Sequence, residues 1–321
     1  MIFDSGRHKY ELLDNWPKLP EGISLREAVA VSIDSQDRIY IYSRQEINKG
    51  NPPMMVFDQE GNLLSTWGEG WFGRAHGVFV GPDDFVYCAD MGNHTVSKWT
   101  PEGELLLTLG TKDQPSDTGY EGIVGWEPQH SYFEKLIIAS ECFAKKHIGP
   151  PFNRPTGVFV TPSGDIFVSD GYGNAQIHRF SADGKLLSSW GKLGDNIGQF
   201  ICPHGIWVDK QEQVWVADRA NCRVEIFDAE GKYIRHIGEL GQPAHVYIDD
   251  EGTVFIPECL TLSIAMFTTE GKLLARWHNH ELENIITFTY PHVTAMDSAG
   301  NLYFVNAPPN GGGTYKFAKI S

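Results

Sequence analysis

Short runs of apolar and polar residues in alternation recur along the whole chain, separated by turns that carry glycine. Gly157-Val-Phe-Val160 and Asp165-Ile-Phe-Val-Ser169 are typical: too short for helices, and rich in the β-branched and aromatic residues that suit a pleated, half-buried surface. Between such runs one hairpin turn is written five times, as Asp58-Gln-Glu-Gly61-Asn-Leu-Leu64, Pro101-Glu-Gly-Glu-Leu-Leu106, Ala182-Asp-Gly-Lys-Leu-Leu187, Ala229-Glu-Gly-Lys-Tyr-Ile234 and Thr269-Glu-Gly-Lys-Leu-Leu274. Each places glycine after an acidic residue, where a tight turn requires positive φ. Most of the strands that follow end on Trp-Gly or a similar pair, as at Trp67-Gly68, Leu109-Gly110, Trp190-Gly191 and Ile237-Gly238. Two β-rich runs precede each hairpin, so every unit supplies four strands, the content of a propeller blade.

The units open near Val29, His76, Thr156, His204, Ala244 and His292, which predicts an all-β, six-bladed β-propeller in a single domain spanning residues 1–321. The last unit is short by one strand. Residues Glu11 to Trp16 match Asn62 to Trp67 position by position, so an N-terminal strand is expected to close the final blade and remove its open edge. Successive openings are evenly spaced at the period of a propeller blade, except between His76 and Thr156, where the interval nearly doubles. The excess, about residues 113–153, reads as an insertion between blades 2 and 3. Phe133, Leu136, Ile137 and Phe143 suggest an amphipathic helix over Phe133 to His147. Insertions of this kind lie on one rim of a propeller, where an active site can use a lid.

The register turns the histidines into a pattern. The first strand of each blade lines the central channel, so the openings form a ring, with histidine in blades 2, 4 and 6. His76, His204 and His292 then stand about 120° apart around a six-fold axis. Three neutral imidazoles with an open position are the ligand set of a catalytic metal, Zn2+ being the best chemical match and other divalent transition metals the alternatives. A lone histidine at a strand start is more often structural; three in one ring change that balance. A second ring follows at one constant offset from the first: Ser43, Asp90, Asp170, Asp218, Glu258 and Asn306. Residues of this kind ordinarily cap turns by accepting backbone N–H bonds. One step beyond come Arg44 and Arg219, in blades 1 and 4, either exposed surface arginines or a bidentate grip on a substrate carboxylate at the channel mouth. Tyr172, in Ser169-Asp170-Gly171-Tyr172-Gly173-Asn174, is expected at the same end, where a phenol could serve as a base.

Composition narrows the partners. With 26 Lys+Arg against 41 Asp+Glu the formal net charge is −15, which argues against nucleic acid or an anionic membrane as partner. No run of about 20 apolar residues offers a bilayer span, and residues 1–22 lack the basic start and apolar stretch of a signal peptide, so a cytoplasmic location is expected. The five cysteines, without CxxC spacing, read as buried thiols rather than a disulfide framework.

The repeats resemble NHL repeats. Moreover, Arg154-Pro-Thr-Gly-Val-Phe-Val, Val168-Ser-Asp-Gly-Tyr-Gly-Asn174, Gly198-Gln-Phe-Ile-Cys-Pro-His204 and Val216-Ala-Asp-Arg-Ala-Asn-Cys-Arg223 resemble the peptidyl-α-hydroxyglycine α-amidating lyases, from about residue 25 to 310 and most closely from 150 to 230. The resemblance implies a six-bladed propeller that holds zinc through His76, His204 and His292, with Tyr172 as catalytic base and Arg44 and Arg219 as essential arginines. It implies cleavage of the C–N bond of an α-hydroxyglycine to an amide and glyoxylate. The substrate is expected to be a peptide or a small N-acyl α-hydroxy acid, in either case bearing a carboxylate. Three departures stand out. Gly173 replaces a disulfide cysteine of the family, which fits a reducing compartment; Tyr290 replaces a methionine; and Val293 replaces an aspartate that helps bind structural Ca2+, which argues against calcium here. Two other readings are a metal-dependent hydrolase or lactonase on a propeller, and a non-enzymatic NHL scaffold that binds protein.

Overall fold

The computed structural model describes residues 2–45, 50–121, 145–278, 288–308 and 312–320, which form six antiparallel sheets arranged as the blades of a propeller. The innermost strands are Ala28–Ile33, Ala75–Val80, Pro155–Val160, Pro203–Val208, Tyr247–Ile248 and Pro291–Met296. Five of the six units therefore open where the repeat places them, while the inner strand of the fifth starts at Tyr247, beyond Ala244. Val29, His76, Thr156, His204 and His292 are each the second residue of their strand.

The core is a ring of apolar layers between neighbouring blades. Val31, Ile41 and Val56 of blade 1 pack with Val78, Val80 and Cys88 of blade 2, while Val158, Ile166 and Val168 of blade 3 pack with Tyr87, Ala89 and Val96. The repeated turn and the repeated tryptophan explain one another. A Cβ on Gly103 (φ +91°) would stand 2.6 Å from the Trp67 side chain, and one on Gly231 (φ +86°) 2.6 Å from that of Trp190. These two hairpin glycines thus seat the tryptophan that ends the outer strand of the preceding blade, and a side chain at either would force the two blades apart.

The last blade is closed by the N-terminus, as expected, but with two strands rather than one. Its sheet has five strands, because the N-terminus adds a hairpin of two, Ile2–Asp4 and Lys9–Leu12. Leu12 does take the place of Leu63, since it lies opposite Phe317 as Leu63 lies opposite Phe57. Pairing then runs back towards Tyr10, opposite Lys319, instead of on to Trp16. The chain leaves the sheet at Asn15 (φ +66°), and Trp16 packs across the seam between blades 6 and 1, with ring centroids 4.9 Å from Tyr303 and 6.3 Å from Phe57.

The insertion enters after Leu109 and returns before Pro155. The helix expected over residues 133–147 lies outside the described residues apart from Lys145 to His147, which are irregular. One expectation is corrected. Cys202 is disulfide-bonded, whereas Cys88, Cys222 and Cys259 are thiols and Cys142 lies outside the described residues. Disulfides persist in oxidising compartments, so the cysteines no longer support a cytoplasmic location. Among the described residues no helix is long and apolar enough to cross a membrane.

Candidate metal centre

Strand pairing is interrupted where the ring residues stand. In blade 2 Ala75 pairs with Asp90 and Gly77 with Ala89, which leaves His76 as the extra residue of a bulge. Val29, Thr156 and His292 are skipped in the same way, and in blade 4 the break spans His204 and Gly205. A bulge takes one residue out of the alternation and re-aims its side chain. This local break turns the three imidazoles onto the axis.

There the rings form a nearly equilateral triangle, with centroids 4.7 Å (His76–His204), 5.0 Å (His76–His292) and 4.9 Å (His204–His292) apart. Each imidazole uses its Nδ1–H to donate to the carbonyl that occupies the same ring position in the next blade: His76 to Thr156, His204 to Ala244 and His292 to Val29, each at 2.6 Å. The alternate positions, which carry no histidine, thus serve the histidines through their backbone. Close approach of neighbouring strands makes this possible. A Cβ on Gly77 or Gly205 would lie 2.7 Å from the very carbonyl, Thr156 or Ala244, that accepts the bond from His76 or His204.

With Nδ1 protonated and tied down, Nε2 of each ring is left as a lone-pair donor aimed at the common centre. The candidate ligand atoms all lie within 4.8 Å of one another, and the three side chains are at most 2% exposed. Burial pushes the imidazole pKa of His76 and His204 well below the usual value and that of His292 down to about 3, with nearby Arg44 and Arg219 adding to the effect. Three neutral, pre-oriented imidazoles fit a divalent transition metal.

Tyr172 reaches the same centre from the loop that follows Asp170. Its Oη lies 3.2 Å from His76 Nε2 and 3.1 Å from His204 Nε2. Arg219 is 5% exposed, which rules out a surface role, and its Nη1 donates to Tyr172 Oη at 3.2 Å and lies 3.4 Å from His204 Nε2. Its guanidinium is stacked 5.3 Å over the ring of Tyr290, the residue that departs from the resembled family. Arg44 stands at the rim, with Nε donating to the Ala75 carbonyl at 3.2 Å and Nη2 3.8 Å from Met91 Sδ. All six residues singled out in the sequence therefore gather at one end of the channel.

The second ring holds the loops above the centre, as expected. Asp90 accepts from the N–H groups of Gly73 (2.8 Å) and Arg74 (2.9 Å), Asp218 from Cys202 (3.0 Å), Glu258 from Gly241 (2.7 Å) and Asn306 from Tyr290 (3.2 Å). Below the histidines the channel encloses a cavity of about 20 Å³ whose lining includes Val78, Val158, Ile206, His245 and Val293 but no carboxylate. Val293, where the resembled family has a calcium-binding aspartate, brings no side-chain oxygen to that lining.

Two further neighbours of the centre are not among the residues singled out in the sequence. Met91 shares the register of Arg44 and Arg219 and is legible in principle. Lys145 is not, because it lies in the insertion, outside the repeat.

A model of the NHL repeat matches residues 152–180 and 200–227. Over 250 residues the chain is 27% identical to peptidyl-alpha-hydroxyglycine alpha-amidating lyase 1 of Drosophila melanogaster, covering 68% of this chain and 40% of the relative. This chain carries NHL repeats and resembles the amidating lyases. It is also 28% identical over 232 residues to human NHL repeat-containing protein 3, covering 69% of this chain and 57% of that protein, so it spans little more than half of that relative's length. In architecture it follows virginiamycin B lyase from Staphylococcus aureus, with a TM-score of 0.62 over 97% of this chain and all of that one, at 11% identity. At that identity the likeness concerns the fold alone. The matched repeats carry Tyr172, His204 and Arg219.

Proposed function

We propose that this chain is a metal-dependent carbon–nitrogen lyase that cleaves an α-hydroxyglycine, R–CO–NH–CH(OH)–COO⁻, to the amide R–CO–NH₂ and glyoxylate. The observation that carries the reading is the approach of Tyr172 Oη to within 3.2 Å of Nε2 on two converging histidines. His76, His204 and His292 would hold the ion, with zinc the best match to three neutral imidazoles. When bound, it supplies Lewis acidity to a substrate oxygen.

The chain's own residues account for the proton traffic. Tyr172, as phenolate, takes the proton of the substrate hydroxyl; the hydroxyl oxygen then closes to a carbonyl, and the C–N bond breaks with its electron pair passing to nitrogen. The same phenol returns the proton to that nitrogen, so the amide leaves neutral and no water is consumed. Arg219 donates to Tyr172 Oη and opposes a positive charge to the negative charge that the oxygen carries in this cycle. Arg44, which lies beside Ala75 and Met91, would hold the substrate carboxylate.

A lactonase reading draws no comparable support, because the ring positions present imidazoles and backbone rather than carboxylates. The test is metal quantification of the purified protein together with a screen of N-acyl α-hydroxyglycines for glyoxylate release in heavy-oxygen water. The expected outcome is a stoichiometric transition metal and, beside glyoxylate, an amide R–CO–NH₂ that carries no solvent oxygen. Absence of both metal and glyoxylate would sink the proposal in favour of a binding scaffold.

A further inference from the structure

The insertion comes back to the propeller through residues 145–153, and its first described residue is buried beside the candidate metal centre. Lys145 is 4% exposed, and its Nζ donates to the carbonyl of Gly171 at 2.9 Å and to that of Ile201 at 2.5 Å. These two carbonyls belong to different blades. Gly171 directly precedes Tyr172; Ile201 begins the approach Cys202-Pro203-His204. One ammonium therefore joins the loop that carries the tyrosine to the strand that carries a histidine.

The loop is pressed against that strand as well as tied to it. A Cβ on Gly171 would meet the Pro203 carbonyl oxygen at 1.8 Å, so no other residue fits without moving the loop. The rest of the returning segment holds the far side of Tyr172. Gly173 N–H donates to the Asn153 carbonyl at 2.9 Å, and Asn174 Nδ2 donates to that of Gly149 at 2.5 Å. Burying an ammonium is costly unless it is hydrogen-bonded and electrostatically compensated. Here two carbonyls are engaged and buried Asp170 and Asp218 favour the charge, although burial still draws the lysine pKa down to about 7.

We propose that Lys145 is a positioning residue for Tyr172: by joining the Gly171 and Ile201 carbonyls it sets where the phenol oxygen stands relative to His204, and so makes the returning segment 145–153 part of the site. The catalytic consequence rests on the lyase reading; the positional one does not. Lysine suits the task because three N–H donors on a flexible stem reach two carbonyls at once, which a thioether or a shorter amide cannot do.

The experiment uses the full chain carrying meta-fluorotyrosine, in wild type and Lys145→Met. The fluorine signal of Tyr172 is assigned by its disappearance in Tyr172→Phe, and glyoxylate release is measured in parallel. Expected is a shifted or split Tyr172 signal, with kcat lowered about 10–100-fold and KM within about threefold. A Tyr172 signal that keeps its wild-type position and width overturns the proposal, whatever the activity. A moved signal in a protein pair that releases no glyoxylate upholds the positioning and removes the lyase reading instead. If Lys145→Met does not fold, Lys145→Gln, neutral and too short to span both carbonyls, takes its place under the same criterion.

Discussion

The Nδ1 atom of His292, in the last blade, lies 2.6 Å from the carbonyl oxygen of Val29, in the first. This hydrogen bond crosses the seam at which the ring of blades closes, and it has counterparts at His76–Thr156 and His204–Ala244. Closing the propeller and orienting the third imidazole are thus one event. The candidate metal centre is a product of the ring as a whole, since every histidine is oriented by the blade after its own.

Because each histidine borrows its orientation from the next strand, the glycines that permit that approach should matter as much as the groups that orient metal-bound histidines elsewhere. In Gly77→Ala the new Cβ meets the Thr156 carbonyl at 2.7 Å and must push the two strands apart. The expected result is a loss of about 1–3 kcal/mol in stability and about 10–100-fold in affinity for Co2+ or Zn2+. Thermal unfolding with and without metal measures both; an unchanged affinity would show that the Nδ1 bond is dispensable.

His204→Ala removes one of three donors and leaves the ring folded, since the Ala244 carbonyl loses a single hydrogen bond worth about 1–2 kcal/mol. Metal affinity should fall by more than about 100-fold, beyond the effect of losing an outer partner. Metal content after dialysis against a weak chelator checks this. Full retention would place the metal elsewhere.

Tyr172→Phe keeps the ring that packs with Met91 and Cys202 and deletes only the oxygen. Metal content and melting temperature should stay close to wild type, while glyoxylate release falls by about 10²–10⁴-fold, the usual worth of a positioned acid–base group. A variant that turns over at the wild-type rate would assign the proton transfer to another group.

Glu225 offers a pH signature outside the site. Its carboxylate is buried; one oxygen accepts from Gly198 N–H at 3.1 Å and lies 3.5 Å from Arg223 Nη2, the other has no hydrogen-bond partner among the described residues, and burial outweighs Arg223 to raise the pKa from 4.5 to about 7. Because the folded state holds this proton more tightly than the unfolded state, its contribution to stability is complete below about pH 4.5 and is lost as pH rises through about 7. Glu225→Gln should match wild type near pH 5 and exceed it by about 1–3 kcal/mol near pH 8. Urea unfolding of both proteins across that interval decides; parallel pH profiles would show that Glu225 does not titrate there.

The N-terminal hairpin that closes blade 6 rests on Phe3, whose ring centroid lies 5.1 Å from Trp277 and 5.0 Å from Phe317. Phe3→Ala should cost about 3–5 kcal/mol and lower metal affinity through the seam that His292 shares with Val29. A variant as stable as wild type would show that the hairpin is decoration rather than closure.

Much of this molecule could be read from its sequence because propeller registers are local. A turn with glycine after an acidic residue, strands of alternating apolarity and a regular blade period place His76, His204 and His292 at equivalent positions without any knowledge of distance. Leu12 could likewise be set opposite Phe317 by analogy with Leu63. What the sequence left open depends on contacts between segments remote along the chain. No local signal says that the ring residues sit in bulges, that Nδ1 of each finds the next blade's carbonyl, or that Arg219 turns inward onto Tyr172 and Tyr290 rather than out to solvent. The N-terminus supplies two strands because Phe3 finds an apolar socket at Trp277 and Phe317, near the opposite end of the chain. Lys145 lies in a segment with no period, so only the packed fold could bring its ammonium to Gly171 and Ile201. Periodicity encodes which residues share a face; which atoms meet across faces is decided by tertiary packing.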